Sequence, residues 1–302
     1  MIKTTDLHKT FDGIVALNQV NCEIPGRCIY GMVGSNGAGK STFLRTITGI
    51  YRPDSGTVLL DEEPVYENPS AKAKIAFVPD ELFFLPGANM NRMALQYAAV
   101  YKTFDRERYT YLTTSFGLDP KRALNTFSKG MRRQAAIILA IACRPQYLFF
   151  DETFDGLDPV MRKLVKSLIC EDVLERGATA IITSHSLREL EDICDQLALL
   201  HQGGMILQSD VQHLKTSLFK IQAAFHLPFE EKDLAGIDLL HFTRTGSVVS
   251  LIARGDKNEA VARLQAMNPI LLDVLPLSLE EVFTYEMEAL GYSFAGVAGG
   301  LK

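Results

Sequence analysis

The sequence predicts an α/β fold with a mainly parallel sheet at its core and a small α+β appendage behind it. Two observations carry the core. Cys28 to Val33 (CIYGMV), Tyr147 to Phe150 (YLFF) and Ala178 to Thr183 (ATAIIT) are short apolar runs, and segments with helical spacing lie between them, from Lys40 onward and over Val160 to Glu175. A third observation carries the appendage: from about Lys215 the pattern changes to short alternating strands with two further helices.

Each element has a local reason. Cys28 to Val33 ends in a glycine-rich turn and leads into the Lys40 helix, which is a strand, a loop and a helix in order. Tyr147 to Phe150 runs into Asp151 and Glu152, and the Val160 to Glu175 helix returns the chain to Ala178. Runs this continuous suit strands covered on both faces, and the carboxyl ends of such strands are where ligands bind. In the appendage, Lys220 to His226, Ser247 to Ala253 and Ile270 to Leu275 read as strands, and Asn258 to Met267 and Leu279 to Leu290 as helices. The boundary falls near residue 212, giving domains over 1–212 and 213–302, and the terminal SFAGVAGGLK reads as a loose tail.

Composition narrows the function. Of 302 residues, 47% are apolar and 22% charged, enough for a sizeable core and unlike a disordered chain. The net charge of −5 has the wrong sign for a protein that coats itself in nucleic acid, so none is expected as partner and phosphate chemistry must come from a local site. The longest stretch free of Asp, Glu, Lys and Arg is Gln196 to Ser209, 14 residues, short of the roughly 18 a membrane span needs. The start MIKTTDLHKTFDG has no apolar signal region, so a cytoplasmic chain is expected. Five cysteines without a CxxC pair suit reduced, buried thiols.

The strongest motif is Gly34, Ser35, Asn36, Gly37, Ala38, Gly39, Lys40, Ser41 and Thr42, a full match to GxxxxGK[ST] between a strand and a helix. Its glycines let backbone N–H groups converge on a phosphate while the helix N-terminus adds partial positive charge. Lys40 is then the bridge to the β- and γ-phosphates of a bound nucleotide, and Ser41 the ligand of Mg²⁺. Asp151 and Glu152 end a neighbouring strand at the same sheet edge. Alone, such a pair is more often a loop start or a helix cap; beside Lys40, Asp151 becomes a metal-binding carboxylate and Glu152 a general base for water.

With these motifs in this order, the chain resembles the ATP-binding-cassette family, the motor subunits of ABC transporters, across roughly residues 1–212. The resemblance implies a P-loop NTPase cassette with a helical signature subdomain over about 85–145. It also implies stacking of Phe11 (KTFDGIVAL) on adenine, although an isolated Phe near a strand end is also simply core. Ser128-Lys129-Gly130-Met131 resembles the family signature LSGGQ, with Phe127, Lys129 and Met131 departing from it while Ser128 and Gly130 match. Ser128 also suits the N-cap of an apolar helix from Ala135 to Cys143; in the family this helix end caps the γ-phosphate held by a second cassette.

Further implications follow residue by residue. Asp158 in DGLD resembles the acid that organises the opposite subunit's site, and His185 (IITSHSLREL) resembles the switch histidine that contacts the γ-phosphate and orients water around Glu152. Asp80, after Ile75 to Pro79, stands where the family usually has Gln; a carboxylate accepts but does not donate, which leaves metal binding as its expected role. Phe83 and Phe84 lie in the region where the family receives the coupling helix of a transmembrane permease, and core packing is the other reading. Ser278 to Phe283 (SLEEVF) resembles the ending of drug and antibiotic exporter cassettes. The resemblance therefore implies an ATP-hydrolysing transporter subunit at the inner face of the cell membrane, paired with another cassette and a permease. The alternatives are a soluble cassette ATPase acting on ribosomes or DNA, and a plain P-loop kinase or GTPase.

Overall fold

The structure, a computed structural model, describes residues 1–226, 234 and 236–289. The tail from Ser293 and the end of the last helical segment at Leu290 lie outside the described residues. The chain divides into two compact units, Met1–Gln208 and Ser209–Lys302, a few residues earlier than the boundary read from the sequence.

The first unit opens with an antiparallel pair, β1 (Ile2–Phe11) and β2 (Ile14–Ile24), before β3 (Ile29–Val33) delivers the glycine loop to α1 (Lys40–Ile47). β4 (Ser55–Leu60) and β5 (Glu63–Pro64) join the opening pair in a sheet of order β2-β1-β4-β5. A one-turn helix, α2 (Pro69–Lys72), leads to β6 (Ile75–Val78). Three helices follow: α3 (Met90–Val100), α4 (Arg106–Ser115) and α5 (Lys129–Ala142). Then come β7 (Tyr147–Asp151), α6 (Pro159–Arg176), β8 (Thr179–Ser184), α7 (Leu187–Glu191), β9 (Gln196–His201) and β10 (Gly204–Asp210).

These strands build the central six-stranded sheet, of order β10-β9-β3-β8-β7-β6. Its pairs β3–β8, β3–β9, β7–β8 and β6–β7 are all parallel. Every residue of β3, β7 and β8 is buried, the expected outcome for continuous apolar strands with helices on both faces. Tyr30, Phe43, Tyr147, Phe149 and Ile181 share one core, and each large side chain there contributes about 1.5–3 kcal/mol by leaving water. Helix α5 is buried without interruption from Arg133 to Ala142, so it is apolar on all sides except for Arg133 and Gln134.

Register decides what the sheet edge carries. Val33 pairs with Ser184, and Asp151 pairs with Thr183, so the ends of β3, β7 and β8 finish side by side. Parallel neighbours necessarily bring their carboxyl ends to one edge, which is where the glycine loop, the acid pair and the segment of His185 emerge.

The second unit contains α8 (Val211–Ser217), β11 (Leu218–Ala224), β12 (Asp238–Thr245), β13 (Val248–Arg254), α9 (Lys257–Gln265), β14 (Leu271–Leu275) and α10 (Leu279–Ala289). Its sheet, β12-β13-β11-β14, is antiparallel and closes a separate core around Ile221, Leu251 and Leu264. Strand β12 is an element the sequence does not announce, because DLLHFTRT is half polar and mostly exposed.

Candidate active site

The glycine loop owes its course to two close approaches. Gly39 has φ +104°, and a Cβ there would lie 2.5 Å from the Ala16 carbonyl; a Cβ on Gly34 would collide with the Leu200 carbonyl. Only glycine satisfies both backbone angle and space. The loop ends on α1, whose N-cap Gly39 offers no side-chain hydrogen bond, so the first N–H groups of that helix have no capping side chain. Open donors at a helix N-terminus, inside a cradle of this shape, form an anion site.

Lys40 fills the cradle in this conformation. Its buried Nζ donates to the carbonyls of Gly34 (2.6 Å) and Ser35 (3.3 Å) and lies 3.0 Å from Glu152 Oε1. Glu152 in turn sits 3.1 Å through Oε2 from His185 Nδ1, so one carboxylate joins the loop lysine to the histidine after β8. Glu152 adopts φ +47°, a left-handed conformation uncommon for a non-glycine residue. Its N–H is held by the hydroxyl of Thr183 at 3.1 Å. Strain of this type costs about 1–3 kcal/mol and persists where surrounding structure enforces it, typically at functional sites.

Asp151 is fully buried. Its Oδ1 accepts from Ser41 Oγ (3.0 Å) and from Thr183 Oγ1 (2.8 Å), while Oδ2 is buried with no hydrogen-bond partner among the described residues. Burial raises the carboxyl above its ordinary range, against the opposing pull of the Thr183 and Ser41 hydrogen bonds and the Arg45 charge. An orphaned, desolvated carboxylate oxygen beside a serine hydroxyl is an oxygen donor set of the kind a hard divalent cation takes, so the residues present fit Mg²⁺. Asp155 completes an acidic neighbourhood: its Oδ2 is 3.9 Å from His185 Nδ1, and burial pushes its carboxyl up while the histidine opposes the shift.

The remaining expected residues are placed as follows. Phe11, at the end of β1, is exposed and meets Tyr51 edge-on with ring centres 5.2 Å apart, with the Lys9 ammonium 5.2 Å from its ring. Ser128 is the N-cap of α5, its Oγ accepting from Met131 N at 3.2 Å. Gly130 lies against the loop after β7: a Cβ on it would come 2.9 Å from the Gly156 carbonyl. Asp158 caps α6, accepting from the N–H groups of Val160 and Met161, both at 3.0 Å. Asp80 shares no hydrogen bond with Ser41 or Asp151 among the described residues; its carboxylate is paired with Arg133 of α5 at 2.8 Å. Phe83 is 79% exposed and Phe84 half-buried, so neither serves as full core.

Two residues beyond the sequence reading matter to this geometry. Thr183 holds both acids, Asp151 by its hydroxyl proton and Glu152 by its lone pair; its position near the end of an apolar strand, opposite Asp151, was the available signal. Arg133 is buried in an apolar helix, where sequence periodicity alone reads a charge as surface.

Comparison with known proteins bears on the family. A family model described as ABC transporter matches residues 17–155. The chain is 30% identical over 287 residues to the ABC transporter ATP-binding protein YtrB of Bacillus subtilis, covering 94% of this chain and 97% of that one. It is 32% identical over 226 residues to the daunorubicin/doxorubicin resistance ATP-binding protein DrrA of Streptomyces peucetius, covering 72% and 67%. Among solved structures, the ATP-binding subunit of an ABC transporter superposes with TM-score 0.66 at 22% identity, over 71% of this chain and 92% of that one. A dimeric ATP-binding cassette in a post-hydrolysis state, bound to ADP and Pi, gives 0.64 at 22% identity, over 70% and 99%. The fold, the phosphate loop with its acid pair, and the likeness to YtrB over nearly its whole length lead to one conclusion: the chain belongs to the ATP-hydrolysing, ATP-binding subunits of ABC transporters.

Proposed function

We propose that this ATPase is the motor of an exporter: two cassettes close on ATP, and the closure drives a separate permease from the inner face of the membrane. The observation that carries the hydrolytic half is Glu152, strained into its position and held between Lys40 and His185 at the carboxyl edge of the sheet. A carboxylate fixed that way is a base waiting for a water, and exposed His185 leaves a path for one.

In the proposed cycle, Phe11 stacks on adenine, and the phosphates take the cradle as Lys40 leaves Glu152 for the β- and γ-oxygens. Backbone N–H groups from Gly34 to Thr42 surround them. Ser41 and Asp151 would hold Mg²⁺, which neutralises phosphate charge when bound. Freed of Lys40, Glu152 accepts a proton from water as the water oxygen bonds to the γ-phosphorus; the bond from that phosphorus to the β-phosphate oxygen breaks, releasing ADP and phosphate. His185 orients the attacking water. Ser128 and Gly130 face the γ-phosphate held by the partner cassette, and Asp158 stands at the partner's site.

Support for the permease comes from a groove of about 390 Å³ lined by Ile75, Phe77, Tyr97 and Tyr101, with exposed Ile50 and Val100 among its walls. An apolar trough between β6 and α3 suits an amphipathic helix end. Among the described residues no helix is long and apolar enough to cross a membrane. Relatives include the drug-resistance protein DrrA and the methionine import ATP-binding protein MetN of Escherichia coli, the latter at 30% identity over 76% of this chain and 73% of that one. The SLEEVF ending favours export.

Glu152→Gln tests the cycle: ATP-loaded dimers should accumulate on a sizing column and phosphate release should fall by at least about 100-fold. A variant turning over at the wild-type rate refutes the assignment. Detergent-dependent co-purification with a membrane protein supports the transporter; recovery on ribosomes or DNA supports the soluble alternative.

A further inference from the structure

Both terminal nitrogens of Arg133 are spent on consecutive residues at the end of β6. Nη1 donates to the Pro79 carbonyl at 2.9 Å and Nη2 to Asp80 Oδ1 at 2.8 Å. The arginine is 1% exposed, whereas the Asp80 side chain is 55% exposed. The asymmetry matters: Asp80 has water as an alternative partner and Arg133 has none, so this guanidinium is buried for the sake of this contact.

Asp80 also stands at the sheet edge that carries the hydrolytic site: in the parallel β6–β7 register Val78 pairs with Phe150, so the residues that follow, Pro79 and Asp80, leave the sheet alongside Asp151 and Glu152. A carboxylate there adds repulsion where phosphate must arrive, and a neutral side chain would not. Nothing in the acid's own loop compensates it; the compensating charge comes from the helix that begins at Ser128.

Resting on the functional reading above, we propose that Arg133 is a positioning residue, which holds and neutralises the Asp80 carboxylate so that an acid is tolerated beside the phosphates and the end of β6 moves with the start of α5. Asp80 and Arg133 then act as one neutral unit in place of a single uncharged side chain. In this arrangement Arg133 takes Asp80 Oδ1, and Ser41 and Asp151 would hold the cation without it.

The test is a charge-rescue cycle with wild type, Asp80→Gln, Arg133→Met and the double variant, read by equilibrium ATP binding in EDTA and by thermal melting. Removing Mg²⁺ isolates the repulsion and gives a readout independent of turnover. Arg133→Met alone should weaken Mg²⁺-free ATP binding about tenfold by leaving Asp80 uncompensated, and the double variant should return to within about twofold of wild type. Asp80→Gln alone should lower the melting temperature, because it strands a buried cation, without weakening ATP binding. Arg133→Lys, which keeps the charge, should bind within about threefold of wild type. A defect in Arg133→Met that persists in the double variant shows that Arg133 acts by packing and overturns the inference, as does wild-type affinity in Arg133→Met. If Arg133→Met does not fold, Arg133→Gln takes its place with the same two outcomes. Failure of wild type to bind ATP overturns the functional reading and this inference together; rescue failing in a wild type that binds overturns the inference alone.

Discussion

Lys40 Nζ lies 3.0 Å from Glu152 Oε1, so the lysine proposed to receive a nucleotide's phosphates is paired with the carboxylate proposed to take the proton of the attacking water. Both groups are largely buried, and the exchange of one anion for another decides the net gain on binding. Glu152→Gln should therefore tighten ATP binding by several-fold even as it stops turnover, because the lysine is released from a charged competitor. Lys40→Ala should abolish detectable binding. Titration with a fluorescent ATP analogue measures both; unchanged affinity in Glu152→Gln would show that the pair does not compete with nucleotide.

Asp151 presents a trade between stability and function. Its folded-state carboxyl is raised above the ordinary value, chiefly by burial, so the native state binds the proton more tightly than the unfolded chain does. The contribution is present at acid pH and is lost as pH climbs from the ordinary Asp range through the raised value. Asp151→Asn removes that penalty. The nucleotide-free variant should melt at least a few degrees higher than wild type near pH 7, with the difference shrinking towards pH 4, and Mg²⁺ should no longer tighten its ATP binding. Differential scanning calorimetry across pH reads the first claim, and a melting temperature that falls at pH 7 contradicts it.

Thr183 holds both members of the acid pair through one hydroxyl. Thr183→Val keeps the volume but removes the donor to Asp151 and the acceptor for the Glu152 N–H. We expect a loss of about tenfold or more in the turnover number with ATP affinity within about threefold of wild type, since the lost interactions aim the base rather than grip the phosphates. Steady-state kinetics separates the two; a rise in KM alone argues that Thr183 serves binding instead.

Phe11 is 40% exposed, with Tyr51 edge-on and the Lys9 ammonium over its ring. Phe11→Ala should weaken ATP binding by about 1–3 kcal/mol, the range of a base stacked on an aromatic, and Phe11→Trp should preserve it. Inorganic triphosphate, which has no base, should bind both variants as it binds wild type. Equal losses for ATP and triphosphate would place the effect in the fold.

What could be read in advance follows physical lines. The strands β3, β7 and β8 are buried on both faces, so their sequences are unbroken apolar runs and legible as such. The glycine loop is legible because its geometry excludes side chains at Gly34 and Gly39. Strands β1 and β2 escaped: their pairing is broken by register shifts between Thr4 and Leu7 and again near Lys9, which scrambles the two-residue alternation. At the site, the sequence places Ser41, Asp151 and Glu152 in one neighbourhood, and the structure joins Ser41 to Asp151. The grip of Arg133 on Asp80 joins residues 53 positions apart, a distance across which local pattern carries no information.

The close approach of Gly130 to the Gly156 carbonyl has a consequence for how two cassettes would keep time. One belongs to the segment that would reach over to the neighbour's nucleotide, the other to the loop trailing this subunit's own acids. Main chain rests on main chain there, leaving no rotamer to absorb a shift. A side chain introduced at Gly130 would have to push that carbonyl away, so the two segments can part there but cannot slide past a bulkier residue.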